Sequence, residues 1–512
     1  MRAVSCSRAG VAAGGYGHGT GWRRRADPVA HPCERSTVPE NGTTDSDLPP
    51  TIFVLYGATG DLARRMVLPA FFQLAQYGLL PSEWRLVGNG RGDVSHEDFQ
   101  GRVKDALTEF GPQPEEGPWE EFSKNLRFAG GGFDETDPGS LLDVLEDTKA
   151  EMGGDPQHVH YLAVPPTAFE KLTKGLQEHG LTEGSRVVYE KPYGTDPESF
   201  RELDELVLSV LDEEQVFRID HFLGKEGTQD LHVLRFANGL FEHVWDREHV
   251  QQVQIDVPET LDVSQRAEFY DATGATLDML VTHLFQVAAE VAMEPPVDLS
   301  PESLQDARES VLAAFRPLAK EDVVLGQFEG YTDIEGVPDD STTDTFVAAR
   351  LWVDTDRWHG VPFLLRTGKK LAESQQRVSL LLRKPDGPVT QVPGHGNVVS
   401  LSLSGAGSLD LQFVAKKPGP SLELTQATTS LDLADIEGGT PLPPYVSLIH
   451  DVVTGDRSLF TTSAGLSKAW ASVEPLLEDR PEVQPYEPGS WGPTAANDLA
   501  APCGWLLGQT DE

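Results

Sequence analysis

Thr51-Ile52-Phe53-Val54-Leu55-Tyr56-Gly57-Ala58-Thr59-Gly60-Asp61-Leu62-Ala63-Arg64-Arg65 is the stretch whose reading decides the fold. The unbroken β-prone run from Thr51 to Tyr56 predicts a buried strand, the glycines a tight turn, and the residues after them a helix through about Tyr77. A glycine turn between strand and helix lets phosphate oxygens approach the amides at the helix N-terminus, whose dipole favours negative charge. By itself such a turn is common, so the surrounding pattern has to carry the reading. A second strand, Trp84-Arg85-Leu86-Val87-Gly88, ends at Asn89-Gly90-Arg91, where dinucleotide-binding folds select their cofactor. An acid there would bond the ribose diol of NAD, whereas an arginine suits the 2′-phosphate of NADP by charge and fork geometry. Arg91 therefore points to NADP, the plain alternative being a solvated loop cation.

Further strands follow, at Leu126 to Ala129, His158 to Val164 and Arg186 to Glu190, with helical spacers between them. Alternation of strand and helix predicts a doubly wound, Rossmann-like parallel sheet over 50–220. Catalytic groups of such sheets collect beyond the carboxyl ends of the strands, which places Lys191, in Glu190-Lys191-Pro192, at the crevice. The next strand runs through Gln215-Val216-Phe217 into Arg218-Ile219-Asp220-His221-Phe222-Leu223-Gly224-Lys225-Glu226. An acid, an imidazole and an ammonium so closely spaced at a strand end need partners if buried. An ion-paired loop is the bland reading of that segment.

From there the pattern changes to strands without intervening helices, at Val250 to Val257, Thr345 to Val353, Arg377 to Arg383, Val398 to Leu403 and Leu409 to Ala415. This predicts a second, larger domain over 221–495, built on an antiparallel sheet with helices. One helix, Asp271 to Glu290, is apolar nearly all round and hence buried. Asp278 and His283 interrupt it, and in an α-helix they would stand about 140° apart. They are expected to flank a pocket at the helix edge, not to share one stripe. A buried histidine of this kind is more often a hydrogen-bonded core residue than a catalyst.

Composition bounds what the chain can do. Hydrophobic residues make up 39% and the net charge is −40, which repels nucleic acid and anionic membrane surfaces. Any phosphate-bearing ligand must then be held by local cations and backbone amides. Acidity of this order also suits a salt-rich cytoplasm. Cys6, Cys33 and Cys503 have no metal-ligand spacing, so neither a disulfide framework nor a metal site is expected, and a reducing cytoplasm fits. No apolar run is long enough to span a bilayer. Residues 1–49, rich in Gly, Arg, Ser and Pro, read as a disordered extension, with translation expected to begin near Val38. Residues 496–512 read as a tail.

The segment Arg218 to Glu226, RIDHFLGKE, resembles the substrate signature of glucose-6-phosphate dehydrogenases, usually RIDHYLGKE, with Phe222 in place of Tyr. Asp271, Gly274, Asp278, Met279, His283, Leu284, Gln286 and Val291 to Pro296 match the family's buried-helix wording, while Leu277, Val281 and Thr282 depart from it. Val361 to Lys369, VPFLLRTGK, is similar to the family's VPFYLRTGK, and the likeness extends over roughly residues 50 to 495. It implies oxidation of β-D-glucose 6-phosphate to 6-phosphogluconolactone with hydride passed to NADP. His283 would accept the proton and Asp220 would orient it. Lys191, His221, Lys225, Glu259, Asp278 and Lys369 would bind the sugar phosphate. Gly57, Thr59, Gly60, Asp61, Leu62, Arg91 and Lys191 would hold the cofactor, Pro192 would follow a cis peptide, and the protein would be a homodimer or homotetramer. Two alternatives stay open: a sugar dehydrogenase of the glucose-fructose oxidoreductase type, and a catalytically weakened paralogue that binds sugar phosphate or nucleotide as a regulator.

Overall fold

The computed structural model describes residues 48–508, apart from 265 and 390. The expectations for the N-terminal extension and for a start near Val38 therefore fall almost wholly outside the described residues. Strands β1 (Thr51–Tyr56), β2 (Trp84–Asn89), β3 (Leu126–Ala129), β4 (Gln157–Leu162), β5 (Arg186–Tyr189) and β6 (Val216–Ile219) pair in parallel in the order β6-β5-β4-β1-β2-β3. All of β1 is buried, as a strand covered by helices on both faces must be. The strand order reverses between β1 and β4, which opens a crevice at their carboxyl ends.

That crevice is floored by the glycine turn. Gly57 has φ +72°, and a Cβ there would lie 2.4 Å from the carbonyl oxygen of Ala163, just past β4. Only glycine fits so close to a neighbouring backbone. The Gly60 amide donates to Gly57 O at 2.8 Å, closing the turn. The helix that follows winds widely over Ala63–Val67 before becoming regular over Leu68–Tyr77 and stopping at Gly78.

Strands β7 (Val250–Pro258), β8 (Val323–Phe328), β9 (Phe346–Trp352), β10 (Pro362–Gly368), β11 (Arg377–Leu382), β12 (Val398–Ser402), β13 (Ser408–Lys416) and β14 (Leu424–Asp432) build the second sheet. Later come β15 (Phe460–Thr461) and β16 (Val483–Tyr486). The nine strands are ordered β14-β13-β12-β11-β7-β10-β9-β8-β16. The sheet is not wholly antiparallel: β10 runs parallel to β7, and β16 to β8. Each such pair is joined by a long crossover, the connection that parallel neighbours require.

Two segments cross the boundaries drawn from sequence. β15 adds to the first sheet, pairing antiparallel with β6 (Phe460 with Ile219, Thr461 with Arg218), and Val446, Leu448 and Ile449 of the helix Pro444–Thr454 share a core with Phe71, Tyr161 and Phe217. The described part of the tail, 496–508, is packed. Arg366 of β10 has its guanidinium 5.0 Å from the Trp491 ring and 4.2 Å from the Trp505 ring, and donates to Leu507 O at 3.0 Å. Among the described residues no helix is long and apolar enough to cross a membrane.

Candidate active site

The helix expected over Asp271 to Glu290 is three pieces. Ala267–Ala275 breaks at Gly274, which has φ 65° and ψ 179°, a conformation open only to glycine. A π-helical segment, Thr276–Leu284, follows, and Phe285–Ala292 completes the run as ordinary α-helix. The start of the wide segment is pinned by Asp344, whose Oδ2 accepts from Thr276 N at 2.8 Å and Thr276 Oγ1 at 2.7 Å, while Oδ1 binds Arg480. Thr282 Oγ1 donates to Leu277 O at 2.7 Å across the same winding.

This overturns the expected splay of Asp278 and His283. In i→i+5 winding, residues five apart come nearly one above the other, so both side chains turn to the same ammonium. Lys191 Nζ lies 2.6 Å from His283 Nε2 and 3.5 Å from Asp278 Oδ1. On the far side of the imidazole, His283 Nδ1 lies 2.6 Å from Asp220 Oδ1, which also accepts the Phe222 amide at 2.8 Å. The segment just past β5 supplies the lysine, the residue just past β6 the aspartate and the second domain's helix the histidine. The Lys191–Pro192 bond is cis.

Charge states follow from this geometry. Burial pushes the Asp220 carboxyl up to about 6, against the pull of His221, the Phe222 amide and Lys191, so it is ionised at neutral pH. Burial, and then the Lys191 ammonium, hold His283 well below the ordinary imidazole range. A neutral His283 thus gives its Nδ1 proton to Asp220 and keeps the Nε2 lone pair toward the crevice, where it can accept a proton. Asp278 is held far down despite burial, by Lys191, Arg266 and Lys369. Asp220, His221 and His283 bring potential metal ligands within 4.8 Å of one another. Both nitrogens of His283 already face partners, one of them an ammonium, which does not suit a cation.

Around this centre stand the other expected residues. The His221 ring meets the His283 ring edge-on at 4.6 Å, and Phe222 stacks on His283 at 4.7 Å. Lys225 Nζ lies 4.7 Å from the Phe222 ring centroid and donates to Gln376 Oε1 at 2.5 Å, and its burial lowers its pKa to about 8. Lys369 is buried and paired with Glu259 at 2.5 Å. Sequence reasoning missed Arg266, which reaches Asp278 Oδ2 at 3.3 Å, and Gln376. It also missed Tyr161, which donates at 2.6 Å to the buried Glu190 next to Lys191. Arg266 stands just upstream of the buried helix, and a cation so placed was the available signal.

The cofactor residues divide. Gly57, Thr59, Gly60, Asp61 and Leu62 line the turn at the crevice. Arg91 is exposed, and its stem leans toward Gly132, where a Cβ would come 3.6 Å from Arg91 Cγ.

Two family profiles cover nearly all of this architecture: "Glucose-6-phosphate dehydrogenase, NAD binding domain" over residues 54–230 and "Glucose-6-phosphate dehydrogenase, C-terminal domain" over 232–505. Glucose-6-phosphate 1-dehydrogenase 2 of Mycobacterium tuberculosis (strain ATCC 25618 / H37Rv) is 37% identical over 503 residues, spanning 92% of this chain and 97% of that protein. Glucose-6-phosphate 1-dehydrogenase of Aggregatibacter actinomycetemcomitans is 34% identical over 88% of this chain and 96% of its own. The crystal structure of glucose-6-phosphate 1-dehydrogenase from Mycobacterium avium superposes with a TM-score of 0.81 at 33% identity, covering 91% of this chain and 100% of that one. A glucose-6-phosphate dehydrogenase solved with glucose 6-phosphate gives 0.84 at 31% identity over the same shares. With the signature residues gathered at one crevice and both halves matched end to end, the chain belongs to the glucose-6-phosphate dehydrogenase family.

Proposed function

We propose that the protein oxidises β-D-glucose 6-phosphate to 6-phosphogluconolactone with NADP+, residues 50–220 holding the nucleotide and 221–495 the sugar. The observation that supports this most is the Asp220–His283–Lys191 chain at the carboxyl end of the first sheet, with the imidazole neutral and its Nε2 facing Lys191. The sugar's C1 hydroxyl takes the place of Lys191 at Nε2. His283 accepts the hydroxyl proton as the C1–H bond breaks, and C1=O forms. Asp220 stabilises the resulting imidazolium without taking its proton. The Gly57–Leu62 turn would hold NADP+, which would supply the acceptor for the hydride leaving C1. Lys191 then hydrogen-bonds the substrate, Asp278 and Glu259 accept from sugar hydroxyls, and His221, Lys225 and Lys369 offset the phosphate charge. That crowding of cations is needed, since a net charge of −40 repels an anionic sugar.

The residues that depart from the family pattern do not dismantle the site. Leu277 and Thr282 are joined by the Thr282 Oγ1 bond inside the wide helix, and the histidine, carboxylate and lysine meet regardless. We further read the protein as a cytoplasmic homodimer or homotetramer. The test is NADPH formation from glucose 6-phosphate and NADP+ by the purified protein. Turnover is expected; nucleotide and sugar phosphate binding without turnover would instead establish a regulatory paralogue.

A further inference from the structure

Away from the crevice, a cleft of about 410 Å³ opens where the helix Glu226–Phe236 ends beside the segment that follows the helix Phe285–Ala292. His232, Phe236, Trp245, Pro295 and Pro296 line it, and the exposed Val233 and Leu299 border it. The opposite ends of the two helices adjoin Lys225 and the winding that carries His283. About 12 Å of helix or more therefore separates this cleft from the sugar site.

The wall of the cleft holds a charge that the chain does not balance. Arg235 is 3% exposed and makes no ion pair among the described residues. Its Nη1 and Nη2 donate to the carbonyl oxygens of Glu290 at 2.8 Å and Met293 at 2.5 Å, while its buried Nε meets no acceptor. Carbonyls at a helix C-terminus offset only part of a cation's charge. The Glu290 carboxylate is engaged by His232 Nε2 and Arg308 Nε, each at 2.5 Å, and the Glu294 carboxylate by Arg357 Nε at 2.8 Å. Burial, and then the Arg357 guanidinium, lower the pKa of Arg235 to about 9, which leaves it charged at neutral pH. A buried cation without its own carboxylate is costly, and an anion brought by a ligand relieves that cost.

The rest of the lining selects the body of such an anion. The Arg235 guanidinium lies 4.7 Å from the Phe236 ring centroid and 5.6 Å from that of Trp245, so the charge is bracketed by rings of the same cleft. Beside them the two prolines present apolar rings and no amide donors. Walls of this kind accept a flat apolar body. Glu242 and Asp298 also border the cleft, and they repel a bare inorganic anion that has no apolar surface to offset them.

We infer that this cleft binds an aromatic carboxylate, with its ring against Phe236, Trp245 and the two prolines and its carboxylate toward Arg235 and Arg357, at a site separate from the sugar crevice. Two guanidinium groups suit a carboxylate by charge and by fork geometry. The inference does not depend on the reaction assigned above, since none of these residues takes part in it.

Calorimetric titration of the full chain with 2-naphthoate tests it, beside 2-naphthamide, which keeps the rings and loses the charge, and acetate, which keeps the charge and loses the rings. The naphthoate is expected to bind and the acetate not to; the amide should bind at least about tenfold more weakly, the loss of one charged hydrogen-bonded contact. Arg357→Met should weaken the naphthoate by about tenfold or more. Leu299→Glu, an exposed substitution that adds a negative charge beside the cleft and leaves the core alone, should weaken it by a similar factor. Saturating glucose 6-phosphate and NADP+ should leave the naphthoate affinity within about twofold. The inference is overturned by an unaltered protein that does not bind the naphthoate, by equal binding of acid and amide, or by an affinity that survives Leu299→Glu. Displacement of the naphthoate by glucose 6-phosphate or NADP+ overturns it as well, because the acid would then lie in the crevice.

Discussion

At the scale of single residues, His283 is defined by what touches its two nitrogens. In the proposed reaction its Nε2 needs a lone pair for proton abstraction, and His283→Asn removes that acceptor while keeping a polar group of similar reach. Turnover is expected to fall by about 10² or more with little change in sugar-phosphate affinity, and steady-state kinetics separates the two. The acid limb of kcat/KM follows from the same contacts. Protonation disables the base, and burial with Lys191 lowers the pH at which protonation occurs, so the limb should lie below pH 6.5. Because Asp220 at about 6 is bonded to the imidazole, the limb reports the pair and not either residue alone. Lys191→Met should shift it upward, which a pH–rate profile would show. Phe222, 2% exposed and stacked on His283 with Lys225 over its other surroundings, lacks the hydroxyl a tyrosine would offer to the phosphate. Phe222→Tyr is expected to lower the Michaelis constant for glucose 6-phosphate by about tenfold or more, with turnover less affected. An unchanged or raised constant would place the phosphate elsewhere.

At the scale of elements, the helix that carries Asp278 and His283 depends on Gly274 and Asp344. In Gly274→Ala the methyl group would come 2.7 Å from Asp344 Oδ1, and the backbone angles are strained for any other residue, by about 1–3 kcal/mol. The variant should melt at lower temperature and lose turnover beyond what its folded fraction explains, because the wide winding starts at Thr276. This element also marks the limit of what the sequence could reveal. The six parallel strands of the first sheet were legible, since a parallel sheet demands continuous apolar runs separated by helical spacers, whereas the two-residue β15 on its edge was not. The second was legible only where alternation was strong. β14 is largely exposed and polar, and β10 begins at a proline, so neither announces itself. The π-helical winding has no residue pattern of its own. It is imposed by Asp344 and by the packing around it, contacts more than sixty residues away in the chain. For that reason type and wording named residues that the fold brings together, while the way Asp278 and His283 meet Lys191 was not legible.

At the scale of the whole molecule, the outer hairpin β13–β14 leaves Phe413 at 45% and Leu431 at 47% exposure beside an unpaired strand edge. Long exposed edges are ordinarily covered. Light scattering should show a dimer or tetramer, and Phe413→Glu with Leu431→Glu should shift it toward the monomer; a wild-type monomer would refute the assembly.

The pairing of β15 with β6 bears on how the chain is made. Synthesis runs from the N-terminus, and by the time Ile219 has emerged every parallel strand of the first sheet is available to fold. Its outer edge nonetheless stays bare, and Phe217 lacks the Phe460 ring that meets it at 4.9 Å, until some 240 further residues have been translated. Asp220 sits at the end of that unfinished edge. The nascent chain therefore carries an open β-edge through the synthesis of β7 to β14, eight of the second sheet's nine strands, the period in which it is most exposed to mispairing and in which a chaperone that shields strand edges would have most to do.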